Sequence, residues 1–140
     1  IYIDENTMRM CRTHRMMFAQ LAEALVREGK REKAIEVLDY ADEMLPGYNV
    51  PYETTSVTMG SLYYFLQQPE KANRLMTAVA DNCVEYLEWG KSLNREQRKA
   101  VDGTLQHQMA ILEYVCRNMN SYGQTELANE YMAKLESCGY

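Results

Sequence analysis

A chain of 140 residues that is 46% hydrophobic and 25% charged is long enough for a packed core and too apolar for disorder. Its net charge of −5, from 15 basic and 20 acidic residues, argues against a nucleic-acid partner, because phosphate binding needs a basic face. No run approaches the roughly 18 apolar residues that span a bilayer, and the opening Ile1-Tyr2-Ile3-Asp4 has neither the basic nor the apolar region of a signal peptide.

Strand signals are nearly absent after Ile3, and only 7 Gly and 3 Pro punctuate a chain of helical periodicity. Met8, Cys11, Phe18, Leu21, Ala22 and Leu25 predict a long first helix ending near Gly29, with Arg9, Arg12 and Arg15 on a solvated face. A second helix is expected from about Arg31 to Leu45, with Ala34, Ile35, Leu38 and Ala41 on one face and Pro46-Gly47 as its stop. Tyr48 to Pro51 reads as a loop.

The third helix is expected over about Thr54 to Leu66, and Pro69 suits the first turn of the fourth, where its missing N–H is harmless. That helix carries Ala72, Leu75, Met76, Val79, Cys83 and Leu87 on one stripe and stops at Gly90. Asn94 with Gln97 approximates a capping box for one long fifth helix, whose apolar face runs from Val101 to Met119 and which ends at Gly123. A last helix covers Gln124 to Ser137. The expectation is an all-α domain over residues 1–140, six helices in three antiparallel hairpins.

One turn is written three times. Gly29-Lys-Arg-Glu-Lys-Ala34 returns as Gln67-Gln-Pro-Glu-Lys-Ala72 and as Gly123-Gln-Thr-Glu-Leu-Ala128. Around Ala34, the positions of Phe18, Leu21, Ala22, Leu25, Leu38, Ala41 and Pro46 resemble the tetratricopeptide pattern closely. The second unit keeps Met59, Gly60, Tyr63, Met76 and Val79 but has Ser56 at the aromatic position. The third keeps Leu112, Val115, Cys116, Met119, Met132 and Leu135. The marker alanines stand 38 and then 56 residues apart, against a regular step of about 34, so an irregular right-handed stack is implied.

A second resemblance rests on Tyr2-Ile-Asp-Glu-Asn-Thr-Met-Arg-Met10, Leu21-Ala-Glu-Ala-Leu-Val-Arg-Glu-Gly-Lys30, Lys33-Ala-Ile-Glu-Val-Leu38, Val50-Pro-Tyr52 and Gln108-Met-Ala-Ile-Leu112. These stretches are similar to the soluble C-terminal region of large bacterial multi-span membrane proteins related to protein O-mannosyltransferases. The resemblance implies the C-terminal fragment of a larger inner-membrane protein, in keeping with a chain that does not begin with Met. It implies that transferase chemistry belongs to the membrane part, so no catalytic residue is carried over. The periplasm follows from the resemblance, whereas four cysteines read as free thiols point to a reducing compartment.

Repeat geometry assigns an inner face to Met16, Glu23, Thr54, Val57, Ser61, Tyr64, Glu113, Arg117 and Asn120, a mixed surface suited to a protein or peptide partner or to the parent's own membrane domain. Tyr63 is expected in the core and its neighbour Tyr64 in the groove, since adjacent helical residues point apart. Met17 reads as core filler, and Met10 and Met16 as surface. Catalytic residues, metal and cofactor are expected to be none. Two rivals remain: a helical enzyme using Cys11 and His14, three residues apart on one helix, and a structural spacer that binds nothing.

Overall fold

A computed structural model describes residues 4–47 and 53–139, so the loop expected over Tyr48 to Pro51 lies outside the described residues. Among the described residues there are seven α-helices and no strand: α1 (Glu5–Arg27), α2 (Arg31–Met44), α3 (Thr54–Phe65), α4 (Pro69–Lys91), α5 (Arg95–Ala100), α6 (Asp102–Ser121) and α7 (Thr125–Ser137). The chain divides into two compact units, Ile1–Leu75 and Met76–Tyr140, with the boundary inside α4.

Local chemistry sets the helix ends. Asp4 caps α1 by accepting from the Thr7 N–H at 2.7 Å, and that bond holds its carboxyl below the usual carboxylate range. Pro69 is the first residue of α4, as expected. Asn94 and Gln97 exchange capping-box bonds of 2.9 and 3.1 Å. The helix they start is short, however. Where one long fifth helix is expected, Val101 leaves the α region at φ −111° and ψ 11°, and its N–H turns to the Arg98 carbonyl, at 3.2 Å, and the Lys99 carbonyl. α6 restarts at Asp102.

In the first unit, α1 packs on α2 and α3. Ala19, Ala22, Ala34, Leu38, Ala41, Val57, Met59 and Tyr63 form its centre, and the small residues of α1 and α2 let their axes approach. In the second unit α6 packs on α7, and Met76, Val79, Cys83 and Leu87 of α4 are buried together with Leu112, Val115, Met119 and Leu135.

Three expectations for α1 are corrected. Leu21 and Met17 are exposed rather than buried, because they lie on the side of the helix opposite Ala19 and Ala22. Arg15 is not solvated. It shares the stripe of Ala19 and Ala22, is 1% exposed, and donates from Nη2 to the Leu45 carbonyl at 2.6 Å. Leu45 is the C-cap of α2, so the guanidinium meets a carbonyl that the helix leaves open, at the negative end of its dipole.

Candidate functional site

The three repeated turns share one hydrogen-bond pattern. At the first, the Gly29 N–H bonds to the Val26 carbonyl at 3.0 Å and the Lys30 N–H to the Leu25 carbonyl at 2.9 Å. At the second, Gln67 bonds to Tyr64 at 3.0 Å and Gln68 to Tyr63 at 2.8 Å. At the third, Gly123 bonds to Asn120 at 3.2 Å and Gln124 to Met119 at 2.8 Å. Each is a Schellman motif, which satisfies the last helical carbonyls through one left-handed residue. That residue has φ +77° at Gly29, +60° at Gln67 and +83° at Gly123. The next helix then begins identically: the N–H groups of Ala34, Ala72 and Ala128 each bond four residues back at 3.0 Å, and all three alanines are fully buried.

The inner-face residues of the first unit divide. Met16 and Thr54 are exposed, and Glu23 and Ser61 are half-buried. Glu23 accepts from Arg27 at 2.6 Å one turn along α1. Val57 and Tyr64 are buried, against expectation, and so are closed to a partner. The cause is that α3 is covered over a wide arc: Ser56, Val57, Met59, Gly60, Tyr63 and Tyr64 are all buried, which leaves only the side of Thr54, Ser61 and Phe65 exposed or half-buried. The two adjacent tyrosines do point apart, but each finds protein. Tyr63 donates its hydroxyl to Asp39 of α2 at 2.7 Å, and Tyr64 donates to Asn73 Oδ1 of α4. Burial pushes the Tyr64 hydroxyl up to about 12; burial and then Asp39 push Tyr63 up further.

Sequence reasoning missed a charged ladder in the same unit. Lys71 bonds both oxygens of Asp39 at 3.0 and 2.9 Å, and Arg74 pairs with Asp42. The signal was present: acids three apart on α2 and bases three apart on α4, each pair on one helix face. Arg31 reaches from the first turn to the Phe65 carbonyl beside the second, at 3.3 Å, and its guanidinium lies 5.7 Å from the Phe65 ring centre. A cleft of about 640 Å³ beside these turns is lined by residues that include Lys30, Arg31, Lys33 and Gln67.

In the second unit, Glu113, Arg117 and Asn120 are exposed on one stripe of α6. The Arg117 guanidinium lies 5.9 Å from the centre of the Tyr114 ring. Tyr131 of α7 donates to Asp81 of α4 at 2.6 Å, and Lys91 reaches the Ser137 carbonyl at 3.1 Å.

The cysteines are free thiols; Cys83, Cys116 and Cys138 are buried and Cys11 is half-buried. Burial raises the Cys83 thiol to about 12 and also raises Cys116, which opposes thiolate chemistry at both. His14 is exposed on the helix of Cys11. Among the described residues, no group of three or more His, Cys, Asp or Glu side chains could hold a metal ion, and no helix is long and apolar enough to cross a membrane. Compared with known proteins, the chain matches no family model, no curated protein and no solved structure.

Proposed function

We propose that this chain is a non-catalytic, tetratricopeptide-like interaction module that binds a protein or peptide, or docks on a membrane-embedded parent of glycosyltransferase type. The observation that supports it best is the threefold turn. Three Schellman motifs with matching bonds, each followed by a buried alanine at the same step, join helices into a repeated hairpin unit. Units of this kind serve recognition through the surfaces of their helices rather than through a reactive group.

Each unit offers a surface of its own: Met16, Glu23, Thr54 and Ser61 in the first, and Glu113, Arg117 and Asn120 in the second. Met16 supplies adaptable apolar contact, and Arg117 offers planar recognition of a carboxylate. Val57 and Tyr64 act in the core instead, positioning α3 beneath the first unit's surface. The sequence resemblance to O-mannosyltransferase-related proteins supports a bacterial inner-membrane parent, with the module on the periplasmic side.

Affinity capture with the tagged chain tests this. The wild type retains a partner, and Met16→Asp releases a partner held by the first unit, or Arg117→Glu one held by the second, while the helical circular dichroism is unchanged. A partner held equally by both variants would show that these residues do not form the surface.

A further inference from the structure

A different surface carries an inference beyond that reading. Met10, Met17 and Leu21 of α1, with Tyr40 and Met44 of α2, are all large, apolar and exposed. Their spacings of seven and four residues put the three α1 residues on one stripe, opposite the buried Ala19 and Ala22. Tyr40 joins that side, its ring meeting Phe18 edge-on at 5.5 Å.

Counted from the repeated turn, the positions equivalent to Leu21 are covered in the other two hairpins. Leu21 is 48% exposed, whereas the residues at its position in the second and third hairpins, Met59 and Val115, are 1% and 0% exposed. Contiguous apolar surface of this kind marks an interaction site.

The charges say which partner fits. At its turn end the hairpin carries Arg27, Lys30, Arg31 and Lys33 against Glu23, Glu28 and Glu32, with Arg27 paired to Glu23 and Lys30 to Glu28; at its open end it carries Asp4, Glu5 and Glu43 against Arg9 and Arg12, and Arg12 is paired to Glu53. We propose that the α1–α2 face is a homodimer interface. Two copies meet face to face about a two-fold axis perpendicular to the helices, so that the basic turn end of each lies over the acidic open end of the other. The surface is complementary to itself in sign. It lies wholly within the first unit and is separate from the Met16 surface on the same helix.

Sedimentation velocity of the full chain across micromolar concentrations at low salt tests the proposal. The expected result is a reversible dimer whose dissociation constant rises about tenfold or more in Leu21→Glu and in Met17→Glu, with helical circular dichroism retained because both side chains are exposed. Lys30→Glu with Lys33→Glu weakens the dimer, and adding Glu5→Lys and Glu43→Lys to the same chain restores it. A folded monomer at every concentration overturns the proposal, including one whose α1–α2 face takes up a different protein. So does a dimer indifferent to Leu21→Glu, or one that the fourfold charge exchange leaves weak.

Discussion

Gln67 occupies the left-handed position that Gly29 and Gly123 hold in the sister turns, and it is the one described non-glycine residue with positive φ, at +60°. A side chain in that region costs roughly 1–2 kcal/mol because Cβ crowds the following carbonyl. Nothing lies within 4 Å of a Cβ built on Gly29 or Gly123, so at those two turns the cost would be purely conformational. Denaturant unfolding should therefore find Gln67→Gly more stable by about 1 kcal/mol, and Gly29→Ala and Gly123→Ala less stable by about 1–2 kcal/mol each. Equal stability in all four proteins would mean that these turns are not held in the left-handed region.

At the scale of elements, α2 and α4 are matched by charge. Asp39 faces Lys71 and Asp42 faces Arg74, with the Tyr63 hydroxyl on Asp39 as a third partner. Lys71 and Arg74 keep side-chain exposures of 40% and 52%, so water screens both pairs. A coupling of no more than about 1 kcal/mol is expected. Asp42→Arg and Arg74→Asp should each destabilise the protein, and the exchange of both should recover most of the loss. A double-mutant cycle repeated at high salt should show the coupling shrink. The ladder therefore fixes the register of the two helices more than it stabilises the first unit.

For the molecule as a whole, the buried acids lie on the alkaline side. In an unfolded chain a thiol titrates near about 8.5 and a phenol near about 10, whereas folding raises Cys83 and Tyr64 to about 12 each. Raised values favour the neutral form, so this stability is fully present below the unfolded values and is lost as pH rises through about 8.5 toward 12. The unfolding free energy from urea titrations should be level from pH about 7 to 8 and then fall, by at most about 1.4 kcal/mol per pH unit per group, and the midpoint should fall with it. Cys83→Ala should remove part of the slope. A midpoint level to pH about 11 would contradict the burial of these groups.

The sequence by itself determined most of the helices and their ends, though not the break at Val101. Gly29, Pro69, the Asn94–Gln97 pair and Gly123 act within a few residues of themselves, so their effects are readable from local order. The threefold turn was legible for the same reason, since each Schellman motif closes within one short stretch. Periodicity also identified the faces of α2 and α6, each packed mainly along one stripe. Only the tertiary structure decided how many sides of each helix are covered. A single stripe could not reveal that α3 is enclosed around Val57 and Tyr64, that Arg15 meets the end of α2, or that Leu21 faces outward while Met59 and Val115 are buried. Spacing fixes where a side chain points, but what waits there depends on helices distant in the chain.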